Sequence, residues 1–328
     1  MRGLTTELSE DELVAAIVRV LGEQPRTLRV GIGDDAAAWK PARAHLSLAT
    51  VDALVDQVHF RLHETTPEML GRKALAVSLS DIAAMGGRAA LAIVALGVTA
   101  EIDAEWSRRF YQGMRDLAHR ARCSIAGGDI VRAPALTISV TAIGDVRPSN
   151  MRLRSGAKQG DLLCVSGPLG LAAAYLRSAA PGQALRSAYE SPEPRLAEGK
   201  FLGASRAVHA MMDISDGLSL DASRMAKASA LDVCLDLDAL RTHRPLALSE
   251  FADALDLMLY GGDDYELLVA VNARSHTHLA RRFKARFGRE LWVAGRFQPG
   301  AGNVWELADG DRRKHEPRGY DHLKNTRK

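Results

Sequence analysis

Aspartates interrupt otherwise apolar, glycine-punctuated stretches of this chain at six widely separated places. They are Asp34 and Asp35 in VGIGDDAAAW, Asp52 in ATVDALVD, Asp81 in VSLSDIAAMGG, Asp129 in IAGGDI, Asp213 and Asp216 in MMDISDGL, and Asp263 and Asp264 in LYGGDDYEL. Each stretch is apolar enough to be buried, yet an ionised Asp loses several kcal/mol on leaving water unless something pairs with it. Gathering several of them raises their pKa values unless a cation keeps them ionised. A fold that buries these segments is therefore expected to gather the acids around a shared hard cation. Oxygen-only ligands, glycine-rich backbone and the scarcity of His or Cys nearby favour Mg²⁺ carrying a phosphate substrate over zinc or copper.

With 328 residues, 47% of them apolar, the chain can bury a large core as two domains or one large one. The net charge of +3 comes from 43 basic against 40 acidic residues spread along the sequence, so no nucleic-acid partner is expected. The basic end from His322 to Lys328 reads as a frayed, solvated terminus. Cys123, Cys164 and Cys234 are far apart and flanked by apolar residues, which reads as buried free thiols in a reducing compartment. The opening segment MRGLTTELSEDELVAAIVRVL lacks the order of a secretory signal and reads as an amphipathic helix. Charges and paired glycines interrupt even the most apolar region, residues 74–98, so no membrane span and a cytoplasmic location are expected.

Strand-like LRVGIG and LSLATVDALV follow the first helix, the second strand ending near Asp52. Thr66-Pro67-Glu68 supplies an N-cap, a first-turn proline and an acid, predicting a helix up to Gly86-Gly87 with Leu70, Ala74, Val77 and Asp81 on one face. LAIVALGV is a strand, DAEWSRRFYQGMRDLAHRAR a helix, CSIAGGD a short strand running into a tight turn, and ALTISVTAIG a strand. Arg147-Pro148-Ser149-Asn150 breaks the pattern, giving expected domains 1–148 and 149–328. In the second, LLCVSGPLGLAAAYLRSA reads as strand, turn and helix, SPEPRLAEGKFLGASRA as a Pro-led helix, HAMMDIS as a strand and DGLSLDASRMAKAS as a helix. DVCLDL, DYELLVAV and LWVAGRF add strands, with a helix near Thr277 to Phe287. The irregular alternation predicts an α+β fold of two domains with mixed sheets covered by helices on one face, rather than a doubly wound sheet.

Each motif has a structural alternative. GIGDD lacks the third glycine of a dinucleotide fingerprint, and its two acids repel a pyrophosphate unless a metal lies between; otherwise it is an Asx turn. An acid at the C-terminal end of a helix opposes the macrodipole, so metal ligation accounts better for Asp81. Gly127-Gly128-Asp129 and Gly261-Gly262-Asp263-Asp264 are ordinary turns in isolation, and it is their recurrence that points to function. Ser215 or Asp216 can cap the helix that starts at Gly217, while Asp213 and Asp216 can reach one ion beside amides suited to an anion. His59 can be a core histidine. Arg154 and Lys158 can be loop charges, although their type neutralises a triphosphate. No serine-hydrolase elbow, Walker A loop, kinase catalytic loop or Cys–His pair is present, so any phosphoryl transfer must be metal-driven.

In this order, GIGDDAA, TVDALVDQVHF, KALAVSLSDIAAMGGRA, GGDIVRAP, RSGAKQGD, MDISDGL, GGDDYEL and GYDHL closely resemble the bacterial thiamine-monophosphate kinase family, within the aminoimidazole ribonucleotide synthetase superfamily. The resemblance spans nearly the whole chain and implies that superfamily's fold. It implies ATP-dependent phosphorylation of thiamine monophosphate to thiamine diphosphate, the last step in making that diphosphate, by direct in-line transfer with several Mg²⁺ ions and no catalytic side chain. K⁺ is a further candidate cation. Carried onto this sequence, Asp35, Thr50, Asp52, Asp81, Asp129 and Asp213 resemble metal ligands, with Val51 offering its backbone and Asp216 binding a further ion. Gly128, Asp129, Arg154 and Ser215 match ATP-contacting positions, and His59, Asp263 and Tyr320 match those holding the thiamine phosphate. The resemblance also implies a homodimer that pairs N-terminal sheets. Two departures stand out: Asp263 replaces the family's usual Glu, and SGPLGLAAAYL lacks the usual Thr-Gly start.

Other readings are a superfamily kinase or synthetase with another acceptor, a non-catalytic nucleotide and Mg²⁺ binding regulator, and a metal phosphohydrolase. The selenophosphate branch is disfavoured because no Cys or Lys precedes Lys40.

Overall fold

The computed structural model describes residues 10–23, 27–32 and 36–320. The chain divides into two compact units, residues 1–82 with 88–147, and residues 83–87 with 148–328. Asp34 and Asp35, like the basic end from His322, lie outside the described residues.

The first unit contains α1 (Glu10–Leu21), β1 (Leu28–Val30), β2 (Ala38–Trp39), β3 (Leu46–Val55), α2 (Pro67–Ala84) and β4 (Arg88–Val98). Next come α3 (Ala104–Ala121), β5 (Ser124–Arg132) and β6 (Thr137–Val146). Its main sheet has the order β3-β6-β4-β5, antiparallel except for the parallel β4–β5 pair. Helix α2 begins where the sequence signals it. The hydroxyl of Thr66 accepts the Met69 N–H at 3.3 Å, and Leu70, Leu75, Leu79 and Ile82 are buried along the helix. Asp103 caps α3 by accepting the Trp106 N–H at 2.7 Å, and Arg122 ends it in a left-handed conformation.

Two expectations for this unit need correction. β3 continues three residues past Asp52, which therefore lies inside an edge strand, opposite Val140 of β6. Gly127-Gly128-Asp129 is not a turn: β5 runs straight through it, with Gly128 opposite Val94 and Asp129 opposite Ala95. A Cβ on Gly128 would lie 2.0 Å from the Val94 carbonyl oxygen, so the glycine serves a close approach of neighbouring backbones beside a register shift between Ala92 and Ile93.

The second unit contains β7 (Leu162–Val165), α4 (Leu171–Arg177), α5 (Gln183–Glu190), α6 (Leu196–Gly203), β8 (Val208–Ile214), α7 (Leu218–Ala228) and β9 (Leu231–Asp236). It continues with α8 (Leu237–Thr242), α9 (Ala254–Tyr260), β10 (Glu266–Val271), α10 (His276–Phe287), β11 (Trp292–Pro299), β12 (Val304–Ala308) and β13 (Asp311–His315). The seven-stranded sheet is ordered β13-β12-β9-β11-β7-β10-β8, and its β9–β12 pair is parallel. Helices cover both faces of this sheet, not one. Leu163, Val165, Met212 and Leu268 face a cluster with Leu218 and Met225 of α7 and Leu257 of α9. Leu162, Cys164, Met211 and Leu267 face a second cluster with Leu279 and Phe283 of α10. That is why β7 and, after its first residue Glu266, β10 are apolar without alternation and buried at every position.

The three cysteines are free; Cys123 and Cys164 are buried, whereas Cys234 is only partly so. Burial pushes the Cys123 thiol up to about 12, leaving it unreactive at neutral pH. Among the described residues, no helix is long and apolar enough to cross a membrane.

Candidate functional site

In the first unit, Thr50, Asp52 and Leu54 share the inward face of β3 because strand side chains alternate. The Thr50 hydroxyl donates to Oδ2 of Asp81, near the C-terminal end of α2. Asp52 lies within the same field. Burial and, after it, the charge of Asp81 push its carboxyl up to about 6, while a hydrogen bond from Ser78 works the other way. Its Oδ2 is buried with no hydrogen-bond partner. A carboxylate oxygen shut from water beside a second carboxylate carries uncompensated negative potential. An all-oxygen pair of this kind suits a hard cation such as Mg²⁺. Among the described residues no three acidic, His or Cys side chains form a ready-made metal cage.

Asp129 and Gly128 are exposed on β5, and Val51 is 61% exposed on β3. His59 follows the end of β3, and its Nδ1 accepts the Val55 N–H at 3.0 Å. That bond fixes the neutral ring with its proton on Nε2, where it can donate to an anion.

The second unit assembles another group from three segments. Asp213 is buried one residue before the end of β8, and the chain turns through Ser215, Asp216 and Gly217 into α7. The backbone N–H of Asp263 donates to Ser215 O at 2.8 Å, that of Tyr265 to Ile214 O at 2.8 Å, and that of Tyr320 to Asp216 O at 3.0 Å. Ser215, Asp216, Asp263 and Tyr320 are thus neighbours through main-chain bonds. Asp263 (φ +64°) and Tyr265 (φ +49°) both adopt the left-handed region, and the Tyr265 hydroxyl donates to Asp263 Oδ1 at 2.9 Å. Asp tolerates that backbone better than most side chains, so the residue that departs from the family pattern fits the turn locally. Arg154 and Lys158 are exposed on the segment before β7.

Capping at α7 differs from expectation. The cap position falls on Gly217, at φ +108°, without a side-chain cap from Ser215 or Asp216. A residue that sequence reading passed over takes that role. Asp221 is fully buried, and its Oδ2 accepts the N–H groups of both Ser215 and Asp216 at 3.1 Å. Burial pushes its carboxyl up to about 6 despite the Arg224 guanidinium beside it. Arg224 also pairs with Asp216 at 2.6 Å, so that carboxylate is neutralised by protein charge here. The only signal for Asp221 was an acid on the apolar side of a helix. Asp264, beside Asp263 in the same loop, is a second acid that its motif does not single out. Its Oδ1 accepts the Gly170 N–H at 2.8 Å, ahead of α4, while its Oδ2 is buried without a hydrogen-bond partner. Burial, followed by the charges of Glu266, Asp263 and Asp221, holds its carboxyl well above the usual range against the Gly170 bond.

Comparison with known proteins matches both units. The AIR synthase related protein family matches by its N-terminal domain over residues 33–146 and by its C-terminal domain over residues 158–306. A thiamine-monophosphate kinase of Mycobacterium tuberculosis is 38% identical over 271 residues, covering 80% of each chain. The crystal structure of thiamine-monophosphate kinase from Stenotrophomonas maltophilia superposes with a TM-score of 0.82 at 36% identity, covering 93% of this chain and 98% of that one. A solved relative complexed with AMPPCP and TMP, 28% identical, covers 98% of this chain and all of that one with a TM-score of 0.72. This chain therefore belongs to the AIR synthase related family and, within it, to the thiamine-monophosphate kinases.

Proposed function

We propose that this protein transfers the γ-phosphoryl group of ATP to thiamine monophosphate, giving thiamine diphosphate and ADP. The kinase relatives and the complex of one of them with AMPPCP and TMP support the reaction and both substrates. One observation of this structure carries the reading: Asp52 Oδ2, buried and unpartnered beside Asp81, in an arrangement suited to a divalent cation.

The acceptor is a phosphate monoester with a second pKa near about 6, already a nucleophilic oxyanion at neutral pH, so no general base is required. Repulsion between two anions dominates the barrier. Asp35, Thr50, Asp52, Asp81, Asp129 and Asp213, with the Val51 carbonyl, would hold Mg²⁺, and Asp216 a further ion once Arg224 releases it. Bound there, Mg²⁺ would neutralise phosphate charge and favour in-line alignment. The chain's own contribution is position and field. Gly128, Asp129, Arg154 and Ser215 contact ATP, and the close backbone approach at Gly128 gives the nucleotide a side-chain-free strand to lie against. His59 donates from Nε2 to the substrate phosphate, and Asp263 and Tyr320 hold the thiamine portion. K⁺ is a further candidate cation.

We assign residues 1–148 to ATP and Mg²⁺ binding and dimerisation and residues 149–328 to completing the substrate site. The assembly is a homodimer pairing N-terminal sheets, which β3, an edge strand with Val51 exposed, can accommodate. The protein acts in the cytoplasm.

The deciding experiment follows ADP formation across candidate acceptors while Mg²⁺ and K⁺ are varied. ADP formed only with thiamine monophosphate and only with a divalent cation is the expected result; free phosphate released without an acceptor would replace this reading by a phosphohydrolase.

A further inference from the structure

Within the second unit, a buried serine and a buried histidine form a line with a half-buried glutamate that the reaction itself does not use. His315, the last residue of β13, is 4% exposed; its Nδ1 lies 2.7 Å from Glu306 Oε2 and its Nε2 lies 2.7 Å from Ser219 Oγ. The hairpin register explains the first contact. His315 pairs with Val304, and Glu306 lies two residues along β12 on the same face. Ser219, in the first turn of α7, is fully buried.

The proton positions follow from the bonding. Ser219 Oγ accepts the backbone N–H of Arg318 at 3.3 Å, so its own hydrogen is available to His315 Nε2. The Glu306 carboxylate can only accept, so Nδ1 carries the hydrogen of the neutral ring and Nε2 accepts from Ser219. This is the connectivity of a hydrolase triad, but no substrate can reach a serine with no exposed surface, so the line is structural in its action.

What it holds is the segment from His315 to Tyr320. Arg318 is tied to Ser219 through its N–H, and its guanidinium lies 4.9 Å from the centre of the Tyr260 ring. Tyr260, from which the 261–265 loop departs, stacks on the His315 ring at 5.9 Å and 14°. Gly319 approaches so closely that a Cβ would lie 2.3 Å from Asp216 O, and the Tyr320 N–H donates to that same oxygen. The α7 entry, the loop carrying Asp263 and the segment carrying Tyr320 are thus braced around one imidazole.

We infer that Glu306, His315 and Ser219 are positioning residues that fix Tyr320 relative to Asp216 and Asp263 in the geometry substrate binding requires. This rests on the assignment of Asp263 and Tyr320 to the thiamine phosphate. None of the three touches substrate.

The test uses the full chain with Ser219→Ala, Glu306→Ala and the conservative Glu306→Gln, whose amide oxygen still accepts from Nδ1–H. Glu306 is partly exposed, so its truncation is tolerated by the fold even if Ser219→Ala is not. In Glu306→Ala, amide hydrogen exchange over residues 316–320 should quicken about tenfold and KM for thiamine monophosphate rise about tenfold, with kcat and KM for ATP within about twofold of wild type. Glu306→Gln should restore both. Unchanged exchange in Glu306→Ala overturns the inference, as does a uniform fall in activity matching lost stability, or quickened exchange with KM unmoved. If wild type fails to phosphorylate thiamine monophosphate, the functional reading fails separately, and exchange alone decides whether the relay braces the segment.

Discussion

The Thr50 hydroxyl donates to the carboxylate of Asp81, joining edge strand β3 to the C-terminal end of α2 directly beside Asp52. One face of a strand thereby presents a hydroxyl and a carboxylate to a second carboxylate, while Asp52 Oδ2 keeps no protein donor. Folding has placed charge where it is unfavourable without a cation, the usual mark of a site organised for function rather than stability.

Asp52→Asn should separate the two. A carboxyl raised to about 6 from the ordinary value of 3.8 binds protons more tightly in the folded state, so its ionisation removes stability as pH rises between those values and the loss is complete above them. At pH 8 without metal, the Asn variant should match or exceed wild-type stability by about 1 kcal/mol, read by thermal denaturation. Turnover should fall by about two to three orders of magnitude, and Mg²⁺ should no longer raise the melting temperature. Near-normal turnover at limiting Mg²⁺ would remove Asp52 from the ligand set.

Gly128→Ala tests the strand that replaces the expected turn. The added Cβ meets the Val94 carbonyl oxygen at 2.0 Å, a backbone atom that can move only by parting β4 from β5. A loss of about 2 kcal/mol or more in urea unfolding is expected, with KM for ATP raised in the fraction that folds. Wild-type stability would mean that the strands are not so close.

Tyr265→Phe removes the hydroxyl that donates to Asp263 Oδ1 and leaves the ring in place. KM for thiamine monophosphate should rise about three- to tenfold, with kcat and melting temperature little changed, because one hydrogen bond contributes about 1 kcal/mol. An unaltered KM would show that Asp263 needs no such tether.

Asp232 contributes acid-sensitive stability away from the candidate site. Its burial opposes ionisation, but donors from Trp305, Asn303 and Ala301 outweigh it and hold its carboxyl below the usual value. A group depressed in the folded state contributes stability above the unfolded pKa of about 4, and the contribution is lost as pH falls through the folded value. Asp232→Ala should cost about 2–4 kcal/mol at pH 7, since it strands Trp305 Nε1 and the 301–303 amides, and should flatten the acid limb of the stability profile. An equally steep acid limb in the variant would assign that limb to other carboxylates.

Much of the architecture was legible because local signals agreed with it. Thr66-Pro67-Glu68 starts α2 where expected, the apolar runs at 162–165 and 266–271 are strands, and Asp81 closes the stripe of Leu70, Ala74 and Val77. Short elements escaped notice. Helices α5, α8 and α9 have six to eight residues, too few for a 3.6-residue period to show, and the charged strand DRRKH of β13 lacks the apolar alternation that marks a strand. Gly127-Gly128-Asp129 misled because glycine marks a turn and a close strand approach alike.

The sequence by itself determined that acids lie inside apolar segments, and that these motifs follow one another in the order of a kinase family, since residue type and order are covalent facts. Only the tertiary structure decided that Asp221 rather than Ser215 or Asp216 takes the amides at the α7 entry, that Arg224 neutralises Asp216, and that a histidine from an edge hairpin reaches a helix serine 96 residues away. These are long-range contacts, set by how sheet and helices pack, and no local period or spacing encodes them.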